Sequence, residues 1–301
     1  MNAITPITEA RLLQLAPSIF AAQAHESRSD RYGFFNSIDL IRALVEKGFE
    51  VSDARQSKAR DESKKDFTKH IVRLRHTESH LRVQQAIIDG RAAGDTHTPA
   101  ARAAARLNTF AEVVLTNSHD GTSAVVLSAG MLRLDCFNGL ILADSTIASI
   151  HVTHSKRLVA GVIDGAFAIT EQLPKALEVA GNWKQLQLTA PEQLVFAEQA
   201  HALRFADNDG KITTAVEPRQ LLGVRRDADA DSDLWSTYNV IQENAIRGGL
   251  RDTRPGQTID GQWKPTRRLK TRPVTGIDGD VRLNKALWSL AEKMAELKQA
   301  A

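Results

Sequence analysis

The feature that most constrains the fold is a β-rich run at 110–155, where apolar and polar residues alternate and turn-forming residues separate the segments. The alternation predicts strands at 111–116, 122–127, 131–136 and 147–153. Turns are predicted at Asn117–Gly121, where Asp-Gly favours a hairpin, at Ala129-Gly130 and at Asn138-Gly139. From Lys156 the apolar period becomes helical. The sequence therefore predicts an α+β fold with an antiparallel β-β-β-α core, one sheet face being covered by a helix.

Helical periodicity predicts further elements on both sides of this core. The predicted helices are Glu9–Leu15, a helix capped by Ser37 and ended by Gly48, a long helix after Ser155 that Pro174 kinks or restarts, a helix at 191–205 capped by Thr189, a helix at 235–247 stopped by Gly248-Gly249, and a C-terminal helix at 280–299. We expect an α+β core domain at 1–205, with a flexible insertion at 77–108, and a C-terminal helical region at 206–301.

Composition narrows the classes of protein that the chain can belong to. No apolar run approaches the ~20 residues that cross a bilayer, and the N-terminus has no pattern of a secretion signal. Cys136 is the single cysteine, so no internal disulfide can form. These features predict a cytoplasmic protein without membrane contact. No P-loop, dinucleotide-binding glycine pattern or CxxC motif is present, so no cofactor is predicted.

A first basic tract lies at 51–76 and reads as a β-hairpin whose charged tip runs from Lys58 to Asp66. It carries four acidic residues and eight basic ones: Arg55, Lys58, Arg60, Lys64, Lys65, Lys69, Arg73 and Arg75. In the second strand, Lys69, Arg73 and Arg75 share one face. Such a face favours contact with a phosphate backbone. The alternative is an edge strand that its charges protect from aggregation.

A second basic tract lies at 247–275 and is predicted to be a loop. Its eight basic residues face only two acidic ones, Asp252 and Asp260, so its excess of six exceeds the net charge of +3 of the whole chain. The predicted phosphate contacts here are Arg251, Arg254, Arg267, Arg268, Lys270 and Arg272. The alternative is a solvated loop that binds nothing. We expect the two tracts to converge into one positive channel beside the sheet.

The segment Asn117–Gly121 also invites a catalytic interpretation, in which His119 and Asp120 act as base and orienting group or as metal ligands. Adjacent residues at the end of a strand point in different directions, however, and Cys136 lies in an apolar strand where a thiol is usually buried. The turn interpretation, with Asp120 bonding to the local backbone, is preferred. Asp207–Gly210 resembles a calcium loop only superficially, since the later ligands are missing. No catalytic or metal-binding residue is predicted.

Several stretches together resemble the domain-of-unknown-function family 932. They are APSIFA (16–21), HESRSDRYGFF (25–35), TKHIVRLRH (68–76), NSHDGTSA (117–124), RLDCFNGLIL (133–142) and WSTYNVIQENAIRGG (235–249). The resemblance implies a protein of phages, plasmids and prophage-like islands, and the family name carries no activity. The order of elements is also similar to single-strand annealing proteins of the Rad52 and Redβ type, which form rings or filaments.

The functional hypothesis from the sequence is a mobile-element protein that binds single-stranded DNA and promotes strand annealing in recombination as a homo-oligomeric ring or filament, without a catalytic site. One alternative is a protein-binding accessory factor with an anti-defence or regulatory role. Another is a metal-dependent nuclease that uses His119 and Asp120.

Overall fold

The computed structural model divides the chain into two compact units, Met1–Gly181 and Asn182–Ala301. From the sequence we expected a boundary near residue 205. In the division of the structure, the helix at 190–205 belongs to the second unit. The structure describes residues 5–28, 34–59, 61–79, 81, 104, 107–152, 158–212, 214–254, 257–259, 262–264 and 267–300. Most of the predicted insertion at 77–108 lies outside the described residues.

The N-terminal unit is built on one antiparallel sheet. Its elements are α1 (Glu9–Leu15), α2 (Ser37–Glu46), β1 (Phe49–Gln56), β2 (His70–His76), β3 (Thr109–Asn117), β4 (Val125–Arg133), β5 (Asn138–Ile141), β6 (Ile150–Val152) and α3 (Leu158–Trp183). The strand order is β1-β2-β3-β4-β5, and β6 pairs with β4. The predicted α+β class with an antiparallel sheet is confirmed. The edge-strand alternative is wrong for the second strand of the first basic tract, because β2 lies between β1 and β3, whereas β1 is at the edge of the described sheet.

One predicted turn inside the sheet is wrong. Strand β4 continues through Ala129-Gly130, so the two predicted strands at 122–127 and 131–136 are one. Gly130 serves close packing instead, because a Cβ there would lie 2.6 Å from Val114 Cγ2 and 3.0 Å from the Leu140 carbonyl oxygen. Glycine in a strand often marks such a close approach.

The predicted turn at Asn138-Gly139 is displaced by a few residues. The chain reverses before Asn138, with Phe137 in the left-handed region at φ 51°, and Asn138 already begins β5. Gly139 leaves room for a side chain from β2, since a Cβ there would lie 2.3 Å from Arg73 Cζ. Both glycines that look like turn residues therefore admit neighbours into the sheet.

Local capping explains the helices of this unit. Asn36, not the predicted Ser37, caps α2 by accepting a hydrogen bond from the Ile38 amide at 3.2 Å. Helix α3 covers one face of the sheet, where Gly165 lies against Leu127 and Ile150. The predicted restart at Pro174 is wrong, because α3 is continuous through this proline. Burial of Leu173 and Leu177 on either side of the proline offsets the lost backbone bond.

The C-terminal unit combines three helices with four short strands. Its elements are α4 (Ala190–Phe205), α5 (Leu234–Arg247), β7 (Arg251–Arg254), β8 (Gln257–Ile259), β9 (Gln262–Lys264), β10 (Arg267–Lys270) and α6 (Ile277–Ala300). The predicted cap of α4 is confirmed as a full capping box between Thr189 and Glu192. The prediction of a loop at 247–275 is wrong, since four short strands pair within it.

Helix α5 forms the centre of this unit, because Leu234 to Ala245 are all buried. Trp235 and Tyr238 pack with the indoles of Trp183 and Trp288, whose ring centroids lie 4.6 Å apart. Buried aromatic clusters of this kind dominate core energetics. The second basic tract therefore emerges from a firmly packed helical base.

Candidate nucleic-acid interface

The strands β7–β10 form one nested hairpin, which we call the β-arm. β7 pairs with β10 and β8 pairs with β9, both antiparallel. The register is the same in the two ladders: Arg254 lies opposite Arg267, and Gln257 lies opposite Lys264. Most basic residues of the second tract therefore lie on two short two-stranded ladders that share one register. Ribbons of this kind are used by several DNA-binding folds.

The base of the β-arm is fixed to the helical part of the unit. The side-chain amide of Gln220 bonds to both backbone groups of Arg251. It accepts from the Arg251 N–H at 3.0 Å and donates to the Arg251 carbonyl at 3.1 Å. Gly248 and Gly249 turn the chain with φ 65° and 81°, and the Gly249 amide donates to the Thr271 carbonyl at 2.9 Å. Positive φ at both positions favours glycine. These bonds hold the first residue pair of the arm in place.

The acidic residue of β7 points into the unit. Asp252 is 8% exposed, and its Oδ1 accepts hydrogen bonds from the Ala215 amide at 2.7 Å and the Thr214 hydroxyl at 3.2 Å. The Asp252 carboxyl is therefore turned away from the surface. The exposed charged residues described on β7 and β10 are Arg251 and Lys270.

Basic residues stand opposite each other along the ribbon. Lys270 pairs with Arg251, and both side chains are exposed. Three residues further along β7, about 10 Å at the rise of a strand, Arg254 pairs with Arg267. Like charges directly opposite on a ribbon are destabilising, and a bound polyanion would relieve them. The exposed pair of Arg251 with Lys270 is therefore suited to contact a phosphate.

An exposed aromatic residue lies near the tip of the β-arm. Trp263 on β9 is 67% exposed and stands opposite Thr258. The other three tryptophans of the chain, Trp183, Trp235 and Trp288, are buried. A large indole in water beside basic residues is a feature of surfaces that bind nucleic acid.

The first basic tract folds differently from the expectation. Arg73 is 6% exposed, and its Nη1 lies 2.9 Å from Glu112 Oε2. Arg75 is 1% exposed, and its Nη2 lies 3.0 Å from Glu50 Oε1, with its guanidinium 5.4 Å from the centroid of the Phe110 ring. Neither guanidinium is at the surface, so we remove both from the proposed phosphate contacts.

The remaining residues of this tract stay near the surface. Lys58 and Lys65 are exposed, and Lys65 Nζ pairs with Glu62 at 2.9 Å. Arg55, Lys64 and Lys69 are partly exposed. Arg60 and the side chains of Arg254, Arg267 and Arg268 lie outside the described part of the chain, whereas Arg272 is exposed. The hairpin and the β-arm belong to different units, so their convergence into one channel stays a prediction.

His119 is part of a buried polar cluster. Its Nε2 lies 3.1 Å from Ser37 Oγ, and this hydroxyl also contacts His70 Nε2 at 2.8 Å and accepts from the Asn117 amide at 2.9 Å. Burial, reinforced by the neighbouring His119, lowers the pKa of His70 from its ordinary 6.5 to about 3. His70 is therefore neutral near pH 7, and His119 is fully buried.

Asp120 bonds within its own turn. Its Oδ1 accepts from the Thr122 amide at 3.1 Å and from the Thr122 hydroxyl at 2.6 Å. Partial burial opposes ionisation, but these hydrogen bonds outweigh it and lower the pKa of Asp120. Across the described residues, no three His, Cys, Asp or Glu side chains come together as a metal site. No helix among them is both long and apolar enough to cross a bilayer.

The β-arm and a role for Trp263 were not predicted from the sequence. A hairpin could have been predicted here, because Asp260-Gly261 separates two short segments with β-branched and aromatic residues, Thr258-Ile259 and Gln262-Trp263. Asp-Gly is a strong local hairpin signal. Proline and glycine at 255 and 256 favoured the loop interpretation instead.

Comparison with known proteins places the chain in a family. The model of the "Domain of unknown function (DUF932)" family matches residues 24–288. Two Escherichia coli (strain K12) proteins, UPF0380 protein YfjQ and UPF0380 protein YafZ, are each 35% identical over 289 residues, covering 96% of this chain and 92% of theirs. No solved structure matches the chain significantly. The chain therefore belongs to the DUF932 family.

Proposed function

We propose that this protein binds nucleic acid through the β-arm, that its ligand is single-stranded DNA, and that it promotes strand annealing during recombination of a mobile element. The observation that carries the proposal is the charge arrangement of β7 and β10. Exposed Arg251 and Lys270 face each other, while Asp252 is turned inward. Basic side chains carried on paired strands neutralise phosphates and release counterions.

The distribution of charge within the C-terminal unit supports the same proposal. Residues 251–272 contain seven basic and two acidic side chains, whereas the remaining residues from 182 to 301 contain eleven basic and fourteen acidic ones. Several helix-borne charges elsewhere in the unit are paired, as in the pairs of Lys298 with Glu192 and of Lys293 with Glu296, both at 2.8 Å. The field of the unit therefore directs a polyanion toward the β-arm.

Annealing requires only that a strand is held by its phosphates while its bases stay available. Contacts to the backbone position a strand without reading its sequence. In the proposal, copies of the protein assemble as a ring or filament, so that the arms of successive copies hold one strand along its length. The remaining surface residues Arg55, Lys58, Lys64, Lys65 and Lys69 of the first tract make additional, weaker contacts.

A binding and annealing assay tests the proposal. Fluorescence anisotropy would compare a labelled single strand with the same sequence as a duplex, and a strand-pairing assay would follow annealing of two complementary oligonucleotides. We expect tighter binding of the single strand and faster annealing with the wild type. Arg251→Glu with Lys270→Glu should abolish both effects.

The matched control reverses two exposed charges elsewhere in the same unit, Arg282→Glu and Lys293→Glu on α6. This variant has the same net charge as the arm variant and should bind and anneal like the wild type. Equal losses in the two variants would reduce the effect to net charge and refute the role of the β-arm. Absence of DNA binding by the wild type would refute the proposed function and favour the protein-binding alternative.

No specific observation favours the nuclease alternative. His119 is buried against Ser37, and the carboxylate of Asp120 is engaged by Thr122. Incubation of the wild type with labelled DNA and Mg²⁺ or Mn²⁺ would test it directly, with His119→Ala as the comparison.

A further inference from the structure

We infer that Trp263 stacks on an unpaired nucleobase, so that the β-arm holds a single strand by a base as well as by its phosphates. This inference rests on the proposed function. It begins from the exposure of Trp263, 67% of whose surface is in contact with water on a strand that also carries Lys264. Burying an indole between flat apolar surfaces is favourable, and a base offers such a surface.

The position of Trp263 separates it from the basic pairs. Trp263 lies in the outer ladder opposite Thr258, whereas Arg251 and Lys270 lie at the inner end of the β-arm beside Gln220. A strand that follows the ribbon from its base would meet phosphate contacts first and the indole later. In duplex DNA the bases are already stacked on one another, so only a single strand can offer a free base without paying for unstacking. The indole therefore selects single strands.

The chain carries its own reporter for this contact. Trp263 is exposed, and the three other tryptophans have exposed fractions of 3% or less. Emission from the solvent-exposed indole comes from Trp263, and stacking on a base should quench it. Titration with an oligothymidine strand should therefore quench the exposed component in the wild type, and this component should be missing in Trp263→Ala.

An abasic oligonucleotide of equal length separates stacking from charge, since it keeps the phosphates and lacks the bases. We expect the wild type to bind the thymidine strand about tenfold more tightly than the abasic strand. In Trp263→Ala this ratio should fall to about one, and in Trp263→Phe it should be intermediate. Phe137→Ala, which removes another exposed aromatic side chain (66% exposed), should leave the ratio unchanged.

The possible outcomes test the proposed function and the stacking role of Trp263 separately. If the wild type binds neither strand, the proposed function fails. If the wild type binds both strands equally without quenching, the β-arm binds phosphates and the stacking role of Trp263 is refuted. If Trp263→Ala weakens the binding of both oligonucleotides by the same factor, the indole supports the shape of the β-arm, and the stacking role is also refuted.

Discussion

The two basic tracts have opposite arrangements once folded. In the first tract, Arg73 and Arg75 are buried against Glu112 and Glu50, while lysines remain near the surface beside their acidic neighbours. In the second tract the acidic Asp252 is buried, and Arg251 and Lys270 are exposed. Each tract carries eight basic residues. Buried arginines of the first tract pair inside a sheet, whereas exposed basic residues of the second tract charge a surface. The role of a tract therefore depends on whether its basic or its acidic residues are buried.

The largest expected effect comes from breaking the buried pair of the first tract. Arg73→Ala removes the ion-pair partner of the fully buried Glu112, to which the Ser52 hydroxyl still donates at 2.6 Å. We expect a loss of about 3–5 kcal/mol in the free energy of unfolding. Urea denaturation followed by far-UV circular dichroism measures this loss.

The control for that variant removes both charges together, as Arg73→Met with Glu112→Gln. Because no unpaired charge is left, the double variant should lose much less stability than Arg73→Ala. All four tryptophans lie in the C-terminal unit, so their emission should report little change in that unit for either variant. A double variant as unstable as Arg73→Ala would show that the interaction between the two charges is not what stabilises the sheet.

Charge reversal in each basic tract compares the contributions of the two tracts to the binding of a single strand. Arg251→Glu with Lys270→Glu should weaken binding of a single strand about 100-fold, roughly 1.4 kcal/mol for each lost phosphate contact. Lys58→Glu with Lys64→Glu changes the net charge equally and should weaken binding less than about fivefold, because Asp61, Glu62 and Asp66 belong to the same hairpin tip. Anisotropy at one fixed salt concentration measures both, and a larger effect from the hairpin would reverse the assignment.

His70 lies on the face of β2 opposite to Arg73 and should make the stability of the N-terminal unit depend on pH. His70 has a folded-state pKa of about 3 and an ordinary value of 6.5, so the unfolded chain binds the proton between these values. Stability contributed by neutral His70 is complete above pH 6.5 and is lost as the pH falls toward 3. From pH 7.5 to 5 the free energy of unfolding should fall by about 2 kcal/mol from this residue.

Urea midpoints at several pH values, followed by circular dichroism, measure this slope. The variant His70→Gln can still bond to Ser18 and Ser37 but does not titrate, so its stability should depend less on pH in this range. Identical slopes in the two proteins would rule out His70 as the source.

The smallest effect concerns the buried acid of the β-arm. Asp252→Ala removes the acceptor for the Ala215 amide and should cost about 1–2 kcal/mol, detected as a lower melting temperature by tryptophan emission. The same change adds one positive charge, so affinity for DNA should be equal or slightly higher than in the wild type. A loss of affinity larger than the loss of folded protein would show that Asp252 positions the arm for binding.

The sequence predicted the elements better than their connections. Periodicity and caps located every helix given above, and Thr189 with Glu192 is a local signal that needs no tertiary context. The prediction at Ala129-Gly130 was wrong because glycine marks close packing as well as turns. The nearest neighbours that require Gly130 and Gly139 are Val114 and Arg73, on other strands.

The candidate site was predicted as a set of residues but not as a geometry. The charge excess at 247–275 was visible in the sequence, whereas the pairing of Arg251 with Lys270 depends on the strand register. The burial of Arg73 depends on Glu112, which lies 39 residues away in the chain. Counting charges cannot show which of them a fold buries, because burial is decided by partners on other strands.

The most direct test of the central claim is the salt dependence of single-strand binding. With six phosphate contacts from the β-arm, the logarithm of the association constant should fall with the logarithm of salt concentration with a slope of about −4. Neutralising two of them in Arg251→Gln with Lys270→Gln should make the slope shallower by about 1.4. A flat dependence in the wild type, or the same slope in both proteins, would contradict the assignment of the β-arm as the nucleic-acid interface.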